Sequence, residues 1–139
     1  MVVQIGKDKI IRIEDDIFSS ICNTLKRFQF ETGGIIGANE HGVISVFQFD
    51  DIKKPRYYEY YPNINFLNKI INEEWQSNKI TFAGFVHSHL RNSEISKQDI
   101  EYARQIIESN IFLKYILIGI VDLSVEKNKI QWTVVNKEL

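Results

Sequence analysis

Residues 80–86 form an apolar run of strand length that stops abruptly at His87-Ser88-His89. A short continuous run of this kind reads as a buried strand, so other elements must cover it. The rest of the chain supplies them. Residues 2–5 and 10–13 alternate around Gly6-Lys7-Asp8-Lys9, the pattern of an opening hairpin. Ile17, Ile21, Leu25 and Phe28 then recur at helical spacing, with Asp15 or Asp16 placed to cap the helix. Glu31-Thr32-Gly33-Gly34-Ile35-Ile36-Gly37 predicts a short strand entered through glycines. The turn Asn39-Glu40-His41-Gly42 leads into a further strand over 43–49. Residues 50–62 are charged and tyrosine-rich, punctuated by Pro55 and Pro62.

A second helix is predicted over 63–77, with Leu67, Ile70, Ile71 and Trp75 inward. A third starts at Ser96, with Ile100, Ala103, Ile106 and Ile107 inward. Residues 115–123 and 130–135 predict a closing hairpin around Glu126-Lys127-Asn128. Strands and helices interleave, yet both terminal hairpins are antiparallel. The expected architecture is therefore α/β in the broad sense: a mixed α+β sheet flanked by helices, in one domain over residues 1–139.

Charge and cysteine content narrow the function. Seventeen basic against eighteen acidic residues leave a net charge of −1, which argues against a dedicated nucleic-acid binder. The single cysteine, Cys22, lies in a helical pattern and reads as a buried inert thiol. The N-terminus has no basic segment followed by a long apolar stretch, and the apolar run at 115–121 is too short to span a bilayer. A cytoplasmic protein that engages no membrane is expected.

The chemistry gathers around the end of the buried strand. His87 and His89 are two apart, so in a strand their imidazoles share a face and can converge on one metal ion. His-x-His alone is equally a pair of solvated histidines, but ligands gather at strand ends in α/β proteins. Asp99 is the natural third ligand, in the first turn of the third helix. Ser96-Lys97-Gln98-Asp99 also has the form of a capping box, which would occupy the same carboxylate. Two histidines and one carboxylate leave a fourth position open, the arrangement of a catalytic metal site. Glu31, at the mouth of the glycine-rich strand, is the candidate general base. No Gly-Lys-Ser/Thr follows those glycines, which excludes a phosphate-binding loop.

Taken together, Glu31, His87-Ser88-His89 and Ser96-x-x-Asp99 resemble the JAMM (MPN-type, JAB domain) zinc metalloprotease signature. The segment 31–37 is similar to the Glu-bearing strand of compact prokaryotic members. The loop Leu90 to Ile95 is one residue shorter than is usual there, and Leu90 stands where proline is common. The resemblance implies a JAB/MPN-like, cytidine-deaminase-like three-layer architecture and one zinc ion per chain, held by His87, His89 and Asp99. It further implies hydrolysis of a peptide or isopeptide bond, often at the C-terminal tail of a ubiquitin-like or sulfur-carrier protein. Glu31 would move the proton, and the Ser96 hydroxyl would meet the oxyanion. Ser88, facing the opposite way, is expected to be structural and to orient the adjoining loop. Tyr57, Tyr58, Tyr60 and Tyr61 are candidates to line a groove for an extended peptide; a half-buried aromatic loop is the competing reading. A second function class stays open: a catalytically silent MPN-like scaffold for protein interaction. A zinc nucleobase deaminase needs a Pro-Cys-x-x-Cys partner that this chain lacks.

Overall fold

The computed structural model describes residues 1–4, 9–51, 60, 62–110 and 113–136. In chain order the elements are β1 (Val2–Gln4), β2 (Ile10–Arg12), α1 (Asp15–Leu25), β3 (Gly33–Ala38) and β4 (Ile44–Phe49). They continue with α2 (Ile64–Ile70), which runs into a π-helical turn (Ile71–Trp75), then β5 (Thr81–His89), α3 (Lys97–Glu108), β6 (Tyr115–Asp122) and β7 (Gln131–Asn136). Strands β1 and β2 pair only with each other, Val3 opposite Ile11. The other five form one sheet in the order β4-β3-β5-β6-β7.

That sheet is mixed, as the interleaved pattern predicts. Pairs β3–β4, β3–β5 and β6–β7 are antiparallel, whereas β5–β6 is parallel. Parallel neighbours need a crossover, and α3 supplies it. Strand β5 occupies the middle of the sheet and is buried from Ala83 to Ser88. This is why its sequence is apolar on both faces.

Alternate residues feed two cores. On one face Ile21, Cys22 and Leu25 of α1 pack with Ile36, Val86, Leu117 and Val121. On the other, Leu67, Trp75, Ala103 and Ile107 pack with Ile35, Phe85, Ile116 and Ile118. The result is three layers, with α1 on one side of the sheet and α2 with α3 on the other. Cys22 is fully buried, and burial pushes its thiol above the ordinary range, as an inert core thiol requires. Leu25 is likewise 0% exposed, so Leu25→Ala should cost about 2–5 kcal/mol in denaturant unfolding, through lost burial and a residual cavity.

One expected cap is corrected. The N-cap of α1 is Glu14, with no side-chain cap hydrogen bond, and Asp15 and Asp16 lie inside the first turn. The Asp15 carboxylate accepts instead from the Met1 amino group at 3.2 Å. An acid in the first turn still favours the helix through its dipole. Helix 63–77 also divides: Asn63 caps α2 by accepting from the Phe66 amide at 3.3 Å, and the last turn widens into the π turn that buries Trp75.

The topology concentrates three chain segments at one end of the sheet. Because β3 runs antiparallel to β5, the entry to β3 lies beside the exit of β5. Helix α3 begins shortly after that exit. Glu31, the two histidines and Ser96-x-x-Asp99 therefore arrive at one place from segments distant in sequence.

Candidate metal centre

Gly33 pairs with His87, and the Ser88 amide donates to the Thr32 carbonyl at 2.9 Å. Continuing that register sets Glu31 opposite His89. His87 and His89 follow Phe85 onto the α2–α3 face, with ring centroids 4.8 Å apart. Among the described residues, Glu31, His87 and His89 each offer one donor atom, all within 4.8 Å of one another. Asp99 enters through His87, its Oδ2 lying 3.2 Å from Nε2. Ser96 lines the same open cleft of about 540 Å³ as Glu31, His87, His89 and Asp99.

The capping box is complete as well. The Asp99 amide donates to Ser96 Oγ at 3.1 Å, and the Ser96 amide donates to Asp99 Oδ2 at 3.3 Å. One carboxylate oxygen thus caps the helix and faces His87 at the same time. The cap reading of Asp99 therefore holds, and the three donors that gather within 4.8 Å are those of Glu31, His87 and His89, with Asp99 beside them.

The carboxylates of this cluster differ in their electrostatics. Burial pushes the Glu31 carboxyl above its ordinary value, against the opposing pull of His89, His87 and the Tyr60 and Leu90 amides. Asp99 is also raised by burial, but its hydrogen bond and charge interaction with His87, with the bonds from Ser96, outweigh this and hold it below the ordinary value.

Several supporting residues carried no local signal. The Thr32 amide donates to the buried Ser88 Oγ at 3.0 Å, so Ser88 ties down the segment entering β3 rather than the loop after His89. His89 Nδ1 faces Asn92 Oδ1 at 3.3 Å. In the tautomer protonated at Nδ1, that amide oxygen accepts the Nδ1–H hydrogen bond and the Nε2 lone pair is free for a metal. Asp50, 1% exposed, accepts from the Tyr60 hydroxyl at 2.7 Å and the Asn63 amide at 2.8 Å. This holds the Tyr60 amide on Glu31 Oε1 at 3.3 Å and the Tyr60 ring 6.0 Å from that of His87. Burial, reinforced by Asp50, pushes the Tyr60 phenol far up, so it acts only as a neutral donor. A Cβ on Gly33 would come within 2.6 Å of the Tyr60 ring, which explains the glycine beside Glu31. Tyr57, Tyr58 and Tyr61 lie outside the described residues.

A scan against protein-family models finds no match, and neither does a search of curated proteins. Among solved structures the chain is similar to the solution structure of DSY2949 from Desulfitobacterium hafniense. They share 14% identity at a TM-score of 0.69, over 91% of this chain and 85% of that one. It is also similar to AF2198, a JAB1/MPN domain protein from Archaeoglobus fulgidus, with 17% identity and a TM-score of 0.51 over 91% and 88% of the two chains. The fold is of the JAB1/MPN type. At such identities the likeness speaks for the fold, and the chemistry rests on the side chains.

On this JAB1/MPN-type fold the cluster fits a divalent metal ion. Ligands held at about 2.0–2.1 Å by a tetrahedral ion are roughly 3.3 Å apart. His87 Nε2 and Asp99 Oδ2 are in hydrogen-bond contact at 3.2 Å, and the donors of Glu31, His87 and His89 lie within 4.8 Å of one another, close enough to bind one ion. Imidazole with carboxylate is a donor set suited to a borderline ion. His87 Nδ1 is buried and finds no hydrogen-bond partner among the described residues, so that side of the ring is held by packing while Nε2 faces Asp99. Among the same residues, no helix is long and apolar enough to cross a membrane.

Proposed function

We infer that this chain is a zinc-dependent amide hydrolase of the JAMM type, acting at the C-terminal tail of a ubiquitin-like or sulfur-carrier protein. The observation that carries this reading is the gathering of Glu31, His87 and His89, with one donor atom from each within 4.8 Å of the others, beside an Asp99 carboxylate 3.2 Å from His87 Nε2. Burial also raises the Glu31 carboxyl, and the contacts with His87 and Ser96 lower that of Asp99, directions that suit proton transfer at the first and ligation at the second. His87, His89 and Asp99 would hold the zinc, which supplies Lewis acidity toward a water and toward the amide carbonyl. Glu31 takes the proton of the attacking water and returns it to the leaving nitrogen. Ser96 Oγ accepts from the Asp99 amide, which leaves its own hydrogen to meet the developing oxyanion.

Zinc-reconstituted protein is therefore expected to cut a ubiquitin-like fusion at the end of its tail, read by mass spectrometry. Chelation should stop the reaction and zinc restore it. Protein that binds zinc and leaves every such fusion intact would fit a non-catalytic interaction scaffold instead.

Ser96 separates two effects. Ser96→Ala should lower kcat by roughly 10²–10³-fold through the lost oxyanion donor. It should also destabilise α3 by about 1 kcal/mol through the lost cap. Ser96→Thr should recover most of both, in turnover and thermal melts.

A further inference from the structure

Beside the polar cleft lies a groove of about 430 Å³, between the segment that leaves α1 and the turn that follows β6. Phe28, Leu90, Leu123 and Val125 line it, with Lys26 and Ser124. Its walls are tied down. The Phe28 ring stacks on Phe49 at 5.4 Å and meets Phe30, the residue before Glu31, at 5.3 Å. The Leu123 amide donates to the His89 carbonyl at 2.9 Å. Lys26 Nζ joins the two walls, donating to the Glu126 and Lys127 carbonyls at 2.8 and 3.0 Å and to Asn128 Oδ1 at 3.2 Å. Those three acceptors match the three hydrogens of the ammonium. The Ser124 hydroxyl likewise donates to Asp122 Oδ1 at 2.6 Å. What remains for an occupant is chiefly apolar, with Val125 43% exposed. The Glu126 carboxylate, which also lines the groove, repels an acidic one.

The groove and the cleft share one residue, Leu90. The Leu90 amide also hydrogen-bonds the Glu31 carboxylate. The groove therefore joins the cleft on the side of Glu31, whereas Ser96 and Asp99 line the cleft and not the groove. This orders a substrate. The scissile carbonyl stays in the cleft, with the Ser96 hydroxyl. Glu31 returns its proton to the leaving nitrogen, so the chain beyond that nitrogen passes Leu90 toward the groove. An extended chain advances about 3.3 Å per residue, so one or two residues cross a single leucine side chain. We propose that the groove receives a large apolar side chain on the first or second residue beyond the scissile nitrogen. The leaving half is then a peptide rather than a small amine. The proposal rests on the hydrolase reading above and extends its substrate class to the half that the tail does not supply.

The test gives zinc-loaded protein a set of ubiquitin-like fusions that share one tail and carry leucine, serine or aspartate at those positions. Leucine should exceed serine by about tenfold or more in kcat/KM, the discrimination an apolar pocket supplies. Aspartate, facing Glu126, should be the poorest. Val125→Asp should erase the preference for leucine without changing zinc content, whereas Val125→Leu should keep it. A binding readout stands apart from turnover: leucyl-leucinamide, the leaving half alone, is titrated into zinc-loaded Glu31→Gln protein carrying labelled leucine and valine methyls. Saturable shifts of the Leu90, Leu123 and Val125 signals are expected, and those of the two leucines should vanish when Val125→Asp is added. Cleavage of the three fusions at equal rates would overturn the groove's role while leaving the hydrolase reading intact. Saturable shifts with no fusion cleaved would overturn the hydrolase reading, and the assignment to a leaving half with it. Shifts that follow protein concentration alone would overturn the proposal and give the groove to a second copy of this chain.

Discussion

Replacing Glu31 with glutamine is expected to lower kcat by roughly 10²–10⁴-fold while leaving zinc content unchanged. The substitution keeps the size of the side chain, and its amide oxygen can still accept from the Tyr60 amide that holds Oε1 at 3.3 Å. Only proton transfer is lost. In wild type the rate should fall as pH drops through the Glu31 value, which burial places above the ordinary carboxylate range. The same displacement fixes the sign of a stability effect in protein freed of metal. A carboxyl raised on folding contributes stability below its unfolded value and loses it as pH rises through the folded one. Glu31→Gln should therefore be more stable than wild type near neutrality, with the advantage vanishing in acid. Asp99→Asn should do the reverse, because Asp99 is lowered on folding. Its deficit should be full above the ordinary carboxylate value and fade as pH falls through the depressed one. Urea titrations at a series of pH values check both signs, and a matching response of the two variants would contradict them.

Replacing His87 with alanine is expected to abolish stoichiometric zinc binding and, with it, all hydrolysis. His87 belongs to both groupings: its Nε2 lies 3.2 Å from Asp99, and it supplies one of the three donor atoms that gather with Glu31 and His89. Asn92→Ala provides the graded comparison. Losing the acceptor that holds His89 Nδ1 should weaken zinc by about 10–100-fold without removing the site. Competition against a zinc indicator separates the two variants. Equal affinity in wild type and His87→Ala would place the metal elsewhere.

The parts of this site set by backbone period are legible in the sequence. Residues two apart on a strand share a face, so His87 and His89 belong together, and Ser88 belongs to the other side. The buried run before them places their strand in the middle of the sheet. Asp99 is legible as a helix cap, and its Oδ2 meets both the Ser96 amide and His87. What sequence reasoning misses is set by pairing between distant segments. Ser88 reaches Thr32 across 56 residues, and Tyr60 reaches Glu31 across 29. Neither contact has a local period to announce it. Gly33 is the one residue that hints at Tyr60, because glycine beside a functional acid signals close approach of another chain segment. The cap of α1 fails for a different reason. Acids at successive positions are all compatible with a helix start, and the backbone selects Glu14.

The central claim is a division of labour between two carboxylates, and anomalous scattering from zinc-loaded crystals at the zinc edge tests it most directly. The account predicts one peak per chain, about 2.0–2.1 Å from His87, His89 and Asp99, with the Glu31 carboxylate outside bonding distance. A peak bonded to Glu31 in place of Asp99, or no peak at these residues, would contradict it.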